Sequence, residues 1–276
     1  MKIVDGKAIA TRLREDLKEK IQKASVIPGL AVVIVGNDPA SQIYVRNKIK
    51  ACAEIGVKSY SYELPETASQ KQVEDLLDTL AQDTNVHGIL LQLPLPKGFD
   101  AEAAMAHIPF EKDVDGFSAK NLGLLTLHKE YMVACTPLGI MKILENEGVD
   151  LCGKHAVVLG RSDTVGKPMA MLLLNANATV TVCHSKTSNL KEVCKNADII
   201  VSAIGKAKFV TADMVKENAI VIDVGINRDE NGKLCGDVDF ENVKQKTSLI
   251  TPVPGGVGPM TITMLMHNTC LAAFKE

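Results

Sequence analysis

The sequence predicts an α/β protein of two domains, each built on a parallel sheet covered by helices. Three observations support this prediction. Some segments are wholly or mostly apolar, as in residues 30–35 and 86–93, which is typical of strands buried on both faces. Predicted strands alternate with predicted helices. A second series of such elements follows an irregular stretch at residues 109–135, and 276 residues suffice for two modest domains.

The first half of the chain contains three strands and three helices. The turn at residues 36–39, Gly-Asn-Asp-Pro, ends the first strand, and Pro94 and Pro96 end the last one. In chain order the predicted elements are a helix over 7–23, a strand over 30–35, a helix over 41–54, a strand over 57–63, a helix over 73–80 and a strand over 86–93.

The second half begins with a predicted helix that has Thr136 as its N-cap and Pro137 in its first position. Strands are predicted over 155–159, 178–183, 199–203 and 219–224, and helices over 166–174, 190–195 and 257–274. We therefore expect a first domain over residues 1–140 and a second over 141–259. The C-terminal helix, residues 260–276, is expected to pack back onto the first domain.

Composition excludes several classes of protein. The net charge is −2, from 31 basic and 33 acidic side chains, which argues against a nucleic-acid or membrane-surface partner. The seven cysteines are odd in number and lack a C-x-x-C pair, so neither a disulfide framework nor a structural zinc site is expected. No apolar run approaches the roughly 20 residues of a membrane span, and the N-terminus lacks a signal-peptide pattern. These observations predict a soluble cytoplasmic protein.

Ser41, Tyr44 and Lys48 stand at positions i, i+3 and i+7 of one predicted helix. At 3.6 residues per turn they lie within roughly 60° of one another. A hydroxyl, a phenol and an amine therefore converge on one side of a rigid element, and such an amine suits proton transfer. The alternative is a solvated helix face with an ordinary lysine, which the spacing alone favours.

Residues 155–168 form a predicted strand, a glycine turn and a helix start, the place where doubly wound folds bind phosphates. Only Gly160 fits the G-x-G-x-x-G pattern. A P-loop is excluded because five residues separate Gly160 from Gly166 and because Pro168 replaces the Ser or Thr that would hold magnesium. The alternative is an ordinary strand-to-helix turn.

The end of the next strand indicates which nucleotide would bind. An NAD-preferring unit places an acid there to hold the ribose 2′-hydroxyl. Here the strand ends in His184-Ser185-Lys186-Thr187, which offers hydroxyls and a cation but no acid. Together with Arg161, this segment suits a 2′-phosphate and favours NADP over NAD.

Seven segments together closely resemble the bifunctional methylenetetrahydrofolate dehydrogenase/methenyltetrahydrofolate cyclohydrolase family, nearly from end to end. They are GNDPASQIYVRNK (36–48), QLPLP (92–96), KDVDGF (112–117), CTPLG (135–139), GRS (160–162), GIN (225–227) and PVPGGVGPMT (252–261). Each segment alone is modest support, but their order and spacing are specific.

The resemblance implies two reactions of one-carbon folate metabolism and purine biosynthesis. A hydride passes from 5,10-methylenetetrahydrofolate to NADP⁺, and water then opens the methenyl product to 10-formyltetrahydrofolate. The resemblance also implies a Rossmann-type doubly wound NADP domain, an α/β folate domain and a cleft between them. A homodimer with contacts mainly through the nucleotide domains is implied as well, and no metal.

The resemblance further assigns roles to residues. It implies that Lys48 is the key cyclohydrolase residue and that Gln92 assists it. Tyr44 matches the residue that stacks on the aminobenzoyl ring of folate, and Asp115 matches the carboxylate that binds the pterin. The remaining implied substrate-binding residues are Ser41, Pro254, Gly255 and Gly256. The implied cofactor-binding residues are Gly160, Arg161, Ser162, Ser185 and Ile226.

Alternatives remain at both levels. Asp115 could instead be a turn residue before Gly116. Gln92 could instead satisfy backbone groups at a strand end, and residues 252–259 could simply form a rigid loop. For the function of the whole chain there are three alternatives: a monofunctional dehydrogenase, an enzyme like shikimate dehydrogenase, and a catalytically silent dinucleotide-binding regulator. The last has no reason to retain Tyr44, Lys48, Gln92 and Asp115 together.

Overall fold

The structure, a computed structural model, describes residues 1–274, which form two compact units. Unit 1 contains Met1–Thr11 and Thr136–Thr261, and unit 2 contains Arg12–Cys135 and the chain from Ile262 onward. The last two residues of the predicted C-terminal helix lie outside the described residues.

The strands and helices alternate through most of the chain, as the sequence predicts. In chain order they are β1 (Lys2–Ile3), α1 (Gly6–Lys23), β2 (Gly29–Val35), α2 (Pro39–Ile55), β3 (Lys58–Leu64), α3 (Gln70–Gln82), β4 (Gly88–Leu91), α4 (Ala101–Met105), α5 (Ala119–Thr126), α6 (Cys135–Asn146), β5 (His155–Leu159), α7 (Gly166–Asn175), β6 (Thr179–Cys183), α8 (Leu190–Lys195), β7 (Ile199–Ser202), β8 (Ala219–Asp223), β9 (Asn227–Arg228), β10 (Leu234–Cys235), α9 (Phe240–Val243), β11 (Thr247–Ile250) and α10 (Val257–Phe274). Ala212–Met214 and Lys244–Lys246 are short 3₁₀ helices.

Unit 2 is built on a parallel three-stranded sheet in the order β3-β2-β4. Every residue of β2 and β4 is buried, as their unbroken apolar sequences predict. β3 is an edge strand, and its exposure alternates accordingly. The helix α3 presents Val73, Leu77 and Leu80 to this sheet, which completes the core.

Unit 1 is built on a six-stranded sheet in the order β1-β11-β8-β7-β5-β6, and every pairing is parallel. The predicted α/β class with parallel sheets is confirmed. The chain passes from β5 outward to β6 and then returns to β7 on the other side of β5. The order of winding therefore reverses between β5 and β7, which makes a topological switch point there.

The N-terminal residues join unit 1, whereas the predicted first domain begins at residue 1. β1 pairs with β11, with Ile3 opposite Ile250. A Cβ atom placed on Gly6 would lie 1.9 Å from the carbonyl oxygen of Gly256. Only glycine permits this approach of two backbones. Two residues of strand were too few for the sequence pattern to reveal.

Two local predictions were wrong. Thr136 is not the N-cap of α6, since the helix begins at Cys135 and the Thr136 hydroxyl is hydrogen-bonded to that of Thr261 at 3.0 Å. The stretch at residues 109–135 is not wholly irregular, because it contains α5. Ser118 caps that helix by accepting a hydrogen bond from the backbone N–H of Asn121.

Two further observations bear on the class of protein. No helix within residues 1–274 is long and apolar enough to cross a membrane. None of the seven cysteines, all of which are among the described residues, forms a disulfide.

Candidate active site

Lys48 lies on α2, whose ends are fixed by local sequence. The Asp38 carboxylate accepts a hydrogen bond of 2.8 Å from the backbone N–H of Ser41, and Pro39 occupies the first turn. The helix ends at Gly56, which adopts a left-handed conformation with φ of 91°. Local interactions at both ends of α2 therefore fix the helix that carries Lys48.

The amine of Lys48 meets the side chain of Gln92. Its Nζ donates to Gln92 Oε1 at 3.1 Å. Gln92 is itself held, because its backbone N–H donates to Val33 O at 2.8 Å and its Nε2 donates to Leu93 O at 2.6 Å. Gln92 thus satisfies backbone at a strand end and also contacts the lysine, while its role in hydrolysis stays a prediction.

The other two members of the helix face differ in exposure. Ser41 is buried, with 4% of its surface exposed, whereas Tyr44 is 43% exposed. Of these two side chains, that of Tyr44 is therefore the more accessible to a planar ligand.

Asp115 lies on a turn organised by its neighbour Asp113. The buried Asp113 carboxylate accepts hydrogen bonds from the backbone N–H groups of Gly116, Phe117 and Ser118, at 3.1, 3.2 and 2.7 Å. It also accepts one from Asn121 Nδ2 at 3.0 Å. Asp113 therefore performs the turn role that was the alternative for Asp115. No hydrogen bond to the Asp115 carboxylate is found among the described residues.

The same turn lies beside β4, the strand that leads into Gln92. The backbone N–H of Ile89 donates to Lys112 O at 2.8 Å, and Ile89 and Asp113 form an isolated parallel bridge. Lys48, Gln92 and Asp115 are thereby brought together within unit 2, although 67 residues of sequence separate Lys48 from Asp115 (115 − 48).

The electrostatics of Asp115 reflect this placement. Burial raises the pKa of the Asp115 carboxyl, the positive charge of Lys48 opposes that rise, and Asp113 adds to it. Burial and the nearby Asp115 also raise the pKa of the Cys135 thiol well above its usual range. Cys135 is therefore a neutral neighbour of the site at ordinary pH.

Sequence reasoning missed two residues that fix the backbone next to Asp115. The carbonyl oxygen of Val114 accepts hydrogen bonds from Asn268 Nδ2 at 2.8 Å and from Cys135 Sγ at 3.2 Å. Asn268 also donates to Val133 O at 2.9 Å. These partners are 154 and 21 residues from Val114, so local patterns contain no signal for them.

A second candidate site lies in unit 1, at the switch point between β5 and β7. A cavity of about 310 Å³ opens there. Its lining comprises Leu159, Gly160, Arg161, Cys183, His184, Ser185, Leu190, Ala203, Ile204, Lys206 and Phe209. Three of the five predicted cofactor residues, Gly160, Arg161 and Ser185, are among these. The location agrees with the rule that open α/β sheets bind ligands at the switch point.

Gly160 is required by close packing. Its φ is 114°, and a Cβ atom on it would lie 2.3 Å from the carbonyl oxygen of Ala203. A Cβ atom on Gly166 would lie 2.4 Å from Gly160 O. The two glycines thus let the turn fold tightly between two strands and the start of α7.

Ser162 and Ile226 do not line this cavity. The Ser162 hydroxyl accepts hydrogen bonds from the backbone N–H groups of Val165 and Gly166, at 3.2 and 3.3 Å. It therefore occupies two of the donors at the start of α7. Ile226 follows β8 and is 57% exposed, which leaves its side chain accessible.

Cationic and polar groups surround the cavity without local acidic partners. His184 and Thr187 are engaged in their own turn, since His184 Nδ1 accepts from the Lys186 N–H at 3.1 Å and Thr187 Oγ1 accepts from the His184 N–H at 2.9 Å. Ser185 is exposed, and within the described chain Arg161 forms no ion pair. Sequence reasoning missed Lys206 and Phe209, which lie after β7 with Lys206 Nζ 5.6 Å from the ring centroid.

The predicted substrate residues Pro254, Gly255 and Gly256 form the turn between β11 and α10 in unit 1. Gly255 has a φ of 101°, and Gly256 N–H donates to Pro252 O at 3.0 Å. Close approaches between backbone segments explain why glycine is needed at Gly6 and Gly256. Their contact with substrate stays a prediction.

No group of three or more His, Cys, Asp or Glu side chains within residues 1–274 is arranged to hold a metal ion.

Comparisons with known proteins cover both units. A family model described as tetrahydrofolate dehydrogenase/cyclohydrolase, catalytic domain, matches residues 4–115. A second, described as the NAD(P)-binding domain of the same family, matches residues 134–276. A Campylobacter concisus relative named bifunctional protein FolD is 57% identical, with 99% of this chain and 98% of the relative covered.

Two solved structures are also similar to this chain. The bifunctional enzyme FolD, methylenetetrahydrofolate dehydrogenase/cyclohydrolase, from Campylobacter jejuni has 50% identity and a TM-score of 0.98, covering 100% of this chain and 99% of that one. The Trypanosoma brucei methylenetetrahydrofolate dehydrogenase-cyclohydrolase, complexed with NADP and an inhibitor, has 40% identity and a TM-score of 0.93, covering 99% and 97%.

The interaction between Lys48 and Asp115 is directly testable. The change Lys48→Met removes the positive charge that favours the ionised carboxylate, so the pKa of Asp115 should rise above its value in the unaltered protein. Carbon-13 NMR titration of the Asp115 carboxyl measures this shift. Lys50→Met, an exposed lysine on the same helix, is the control and should leave the titration unchanged. An equal pKa in Lys48→Met and the unaltered protein would contradict the interaction.

Proposed function

The chain belongs to the tetrahydrofolate dehydrogenase/cyclohydrolase family, and we propose how its residues carry out the two reactions of that family. It is a bifunctional enzyme that oxidises 5,10-methylenetetrahydrofolate to 5,10-methenyltetrahydrofolate with NADP and hydrolyses the product to 10-formyltetrahydrofolate. The monofunctional, shikimate-dehydrogenase-like and silent alternatives are therefore set aside.

Lys48 and Gln92 manage the protons of the hydrolytic step. The observation that carries this assignment is the 3.1 Å hydrogen bond between Lys48 Nζ and Gln92 Oε1. Gln92 is anchored at its backbone N–H and at its Nε2, so its oxygen holds the amine in one direction. Hydrolysis of the methenyl cation needs water to be activated and a ring nitrogen to be protonated, and a positioned amine serves such proton transfers.

Asp115 and Tyr44 recognise the folate. The Asp115 carboxylate has no hydrogen-bond partner among the described residues, because Asp113 organises the turn. It is thus available to the planar array of donors on a pterin, which a carboxylate suits well. The exposed ring of Tyr44 offers a surface on which the aminobenzoyl ring stacks. Ser41, Pro254, Gly255 and Gly256 complete the assignment as substrate-binding residues.

NADP binds in unit 1, where it supplies the acceptor for the hydride. The residues present fit this cofactor. Gly160 lets the backbone turn tightly against Ala203 at the wall of the cavity, and Arg161 and Ser185 line the cavity without acidic partners among the described residues. We assign Arg161 and Ser185 to the 2′-phosphate. Ser162, through the start of α7, and the exposed Ile226 complete the cofactor residues.

The cytoplasm is the proposed compartment. Five of the cysteines are buried and none forms a disulfide, which is typical of proteins that fold in a reducing environment. The use of NADP and folates is consistent with that location.

A homodimer formed through unit 1 is the proposed assembly. β6 is an edge strand, and the described chain offers it no partner other than β5. Val182 on this strand and Leu174 at the end of α7 are 39% and 52% exposed. An edge strand with apolar neighbours is suited to pairing with a second copy.

Lys48→Met tests the hydrolytic assignment. It should lower the rate of methenyltetrahydrofolate hydrolysis at least about a hundredfold, which is the usual contribution of a positioned acid or base. Binding of the folate should remain. Loss of methenyl absorbance measures hydrolysis, and a fluorescence titration measures binding. Lys50→Met is again the matched control, and full hydrolase activity in Lys48→Met would refute the role of Lys48.

Arg161→Ala tests the cofactor assignment. It should raise the KM for NADP by about tenfold or more, because a charge-assisted hydrogen bond to phosphate is lost, and should change the KM for NAD far less. Initial rates of methenyl formation with each nucleotide measure the two constants. Arg228→Ala, an exposed arginine bonded to Gly232 O, is the control. Equal effects on both nucleotides would show that Arg161 does not bind the 2′-phosphate.

Val182→Glu tests the assembly. A buried charge at a strand-pairing interface is unfavourable, so this variant should be monomeric while the unaltered protein is dimeric. Light scattering after size-exclusion chromatography measures the mass. Val26→Glu is the control, because Val26 is 40% exposed on unit 2. A dimeric Val182→Glu variant, or a monomeric unaltered protein, would exclude the proposed interface.

A further inference from the structure

Two carboxylates are buried at the carboxyl end of the sheet in unit 1. Asp237 is 0% exposed and Asp223 is 3% exposed. Among residues 1–274 no Lys, Arg or His side chain forms an ion pair with either carboxylate. Burying unpaired charge is unfavourable unless hydrogen bonds compensate it, so the partners of this pair indicate what it does.

Asp237 accepts hydrogen bonds from two loops. Its donors are Ser202 Oγ at 3.2 Å, Ile204 N at 2.8 Å, Gly205 N at 3.3 Å, Lys206 N at 2.8 Å and Asn227 Nδ2 at 2.9 Å. Three successive backbone amides after β7 and one side chain after β8 thus meet on a single carboxylate.

Asp223 holds Asp237 in turn. Its carboxylate accepts hydrogen bonds of 2.9 Å from the backbone N–H groups of Gly225, Asp237 and Val238. Its own N–H donates to Thr251 Oγ1 at 2.7 Å. Burial raises the pKa of Asp223 to about 6, and the three backbone donors oppose that rise. Asp223 therefore fixes the backbone from which the Asp237 side chain extends.

Two glycines make room for the pair. A Cβ atom on Gly225 would lie 2.3 Å from Asp237 Oδ1, and one on Gly236 would lie 1.9 Å from Asp223 Oδ2. No real Cβ atom tolerates such distances. The glycine of the Gly225-Ile226-Asn227 segment is thus explained by the space that the buried Asp237 carboxylate occupies.

The loop held by Asp237 forms one wall of the nucleotide cavity. Ala203, Ile204 and Lys206 line that cavity, and Ala203 O is the atom that Gly160 approaches. We propose that Asp237, supported by Asp223, is a positioning residue for the cofactor, which sets the affinity for NADP by fixing residues 204–206 without touching the nucleotide. This inference rests on the proposed binding of NADP in that cavity.

Asp237→Asn is the direct test, because it keeps the shape but replaces one acceptor oxygen with an amide that opposes the N–H donors. In the full-length enzyme the Kd and the KM for NADP should rise about tenfold or more. Hydrolysis of added methenyltetrahydrofolate, which needs no nucleotide, should stay within about twofold and shows that the variant is folded. Asp239→Asn is the control, since among the described residues that side chain accepts a hydrogen bond only from Asn242 Nδ2, at the start of α9 and away from residues 204–206.

Hydrogen exchange followed by mass spectrometry separates positioning from general stability. In Asp237→Asn the amides of residues 204–206 should exchange faster, while that of Ala203, which donates to Leu159 O of β5, and those of β5 itself should not. A lowered melting temperature with unchanged NADP affinity would overturn the proposal, because a merely structural residue gives that result. Unchanged affinity with unchanged exchange would overturn it as well.

If Asp237→Asn loses both the dehydrogenase and the hydrolase activity, the milder variant Asn227→Ala tests the proposal instead. That half-buried side chain supplies one of the five donors, so the KM for NADP should rise about threefold with hydrolysis retained. A KM equal to that of the unaltered enzyme would overturn the proposal. Failure of the cofactor assignment itself looks different: Arg161→Ala would then leave NADP use unchanged, whatever Asp237→Asn does.

Discussion

Burial of parallel strands on both faces is the constraint on which the rest of this structure depends. Every residue of β2, β4 and β7 and all of β5 except His155 are buried, and the middle of each strand accordingly carries apolar residues. Polar chemistry is then confined to the ends of strands and the helices beside them. Gln92 directly follows β4, and Gly160 directly follows β5. This is the general logic of doubly wound folds, in which the carboxyl ends of strands collect the functional loops.

Buried carboxylates organise those loops. Asp113, Asp223 and Asp237 each accept several backbone N–H groups, and no Lys, Arg or His side chain among residues 1–274 forms an ion pair with them. A carboxylate has four lone-pair sites, so it can accept hydrogen bonds from three backbone N–H groups that have no partner in a helix or a sheet. The structure uses this device once in unit 2 and twice in unit 1. In each case it fixes a turn next to a candidate functional group.

Charged side chains that are close in sequence therefore differ in their surroundings, and some fix the backbone while others remain available to a ligand. The Asp113 carboxylate accepts hydrogen bonds from four donors, while the Asp115 carboxylate, two residues on, accepts no hydrogen bond from the described chain. The charge of Lys48 opposes the effect of burial on Asp115. Asp163 contacts Lys167, whereas Arg161 has no such partner among the described residues. What separates a structural group from a functional one here is which donors reach it.

The sequence by itself determined the local elements and much of the chemistry. The apolar runs located β2, β4 and β5, the residue spacing placed Lys48 on a helix, and the glycine turn at Gly160 was located between a strand and a helix, where a cavity opens. Resemblance to a family supplied the reactions and most of the residue roles. The short β1 and the helix α5 escaped the sequence analysis, since two residues have no period and α5 is brief. Only the tertiary structure decided which distant groups meet: Lys48 with Gln92, Val114 with Asn268, and Asp237 with residues 204–206. These contacts span 31 to 154 residues and depend on the order in which strands pair, which no local pattern encodes.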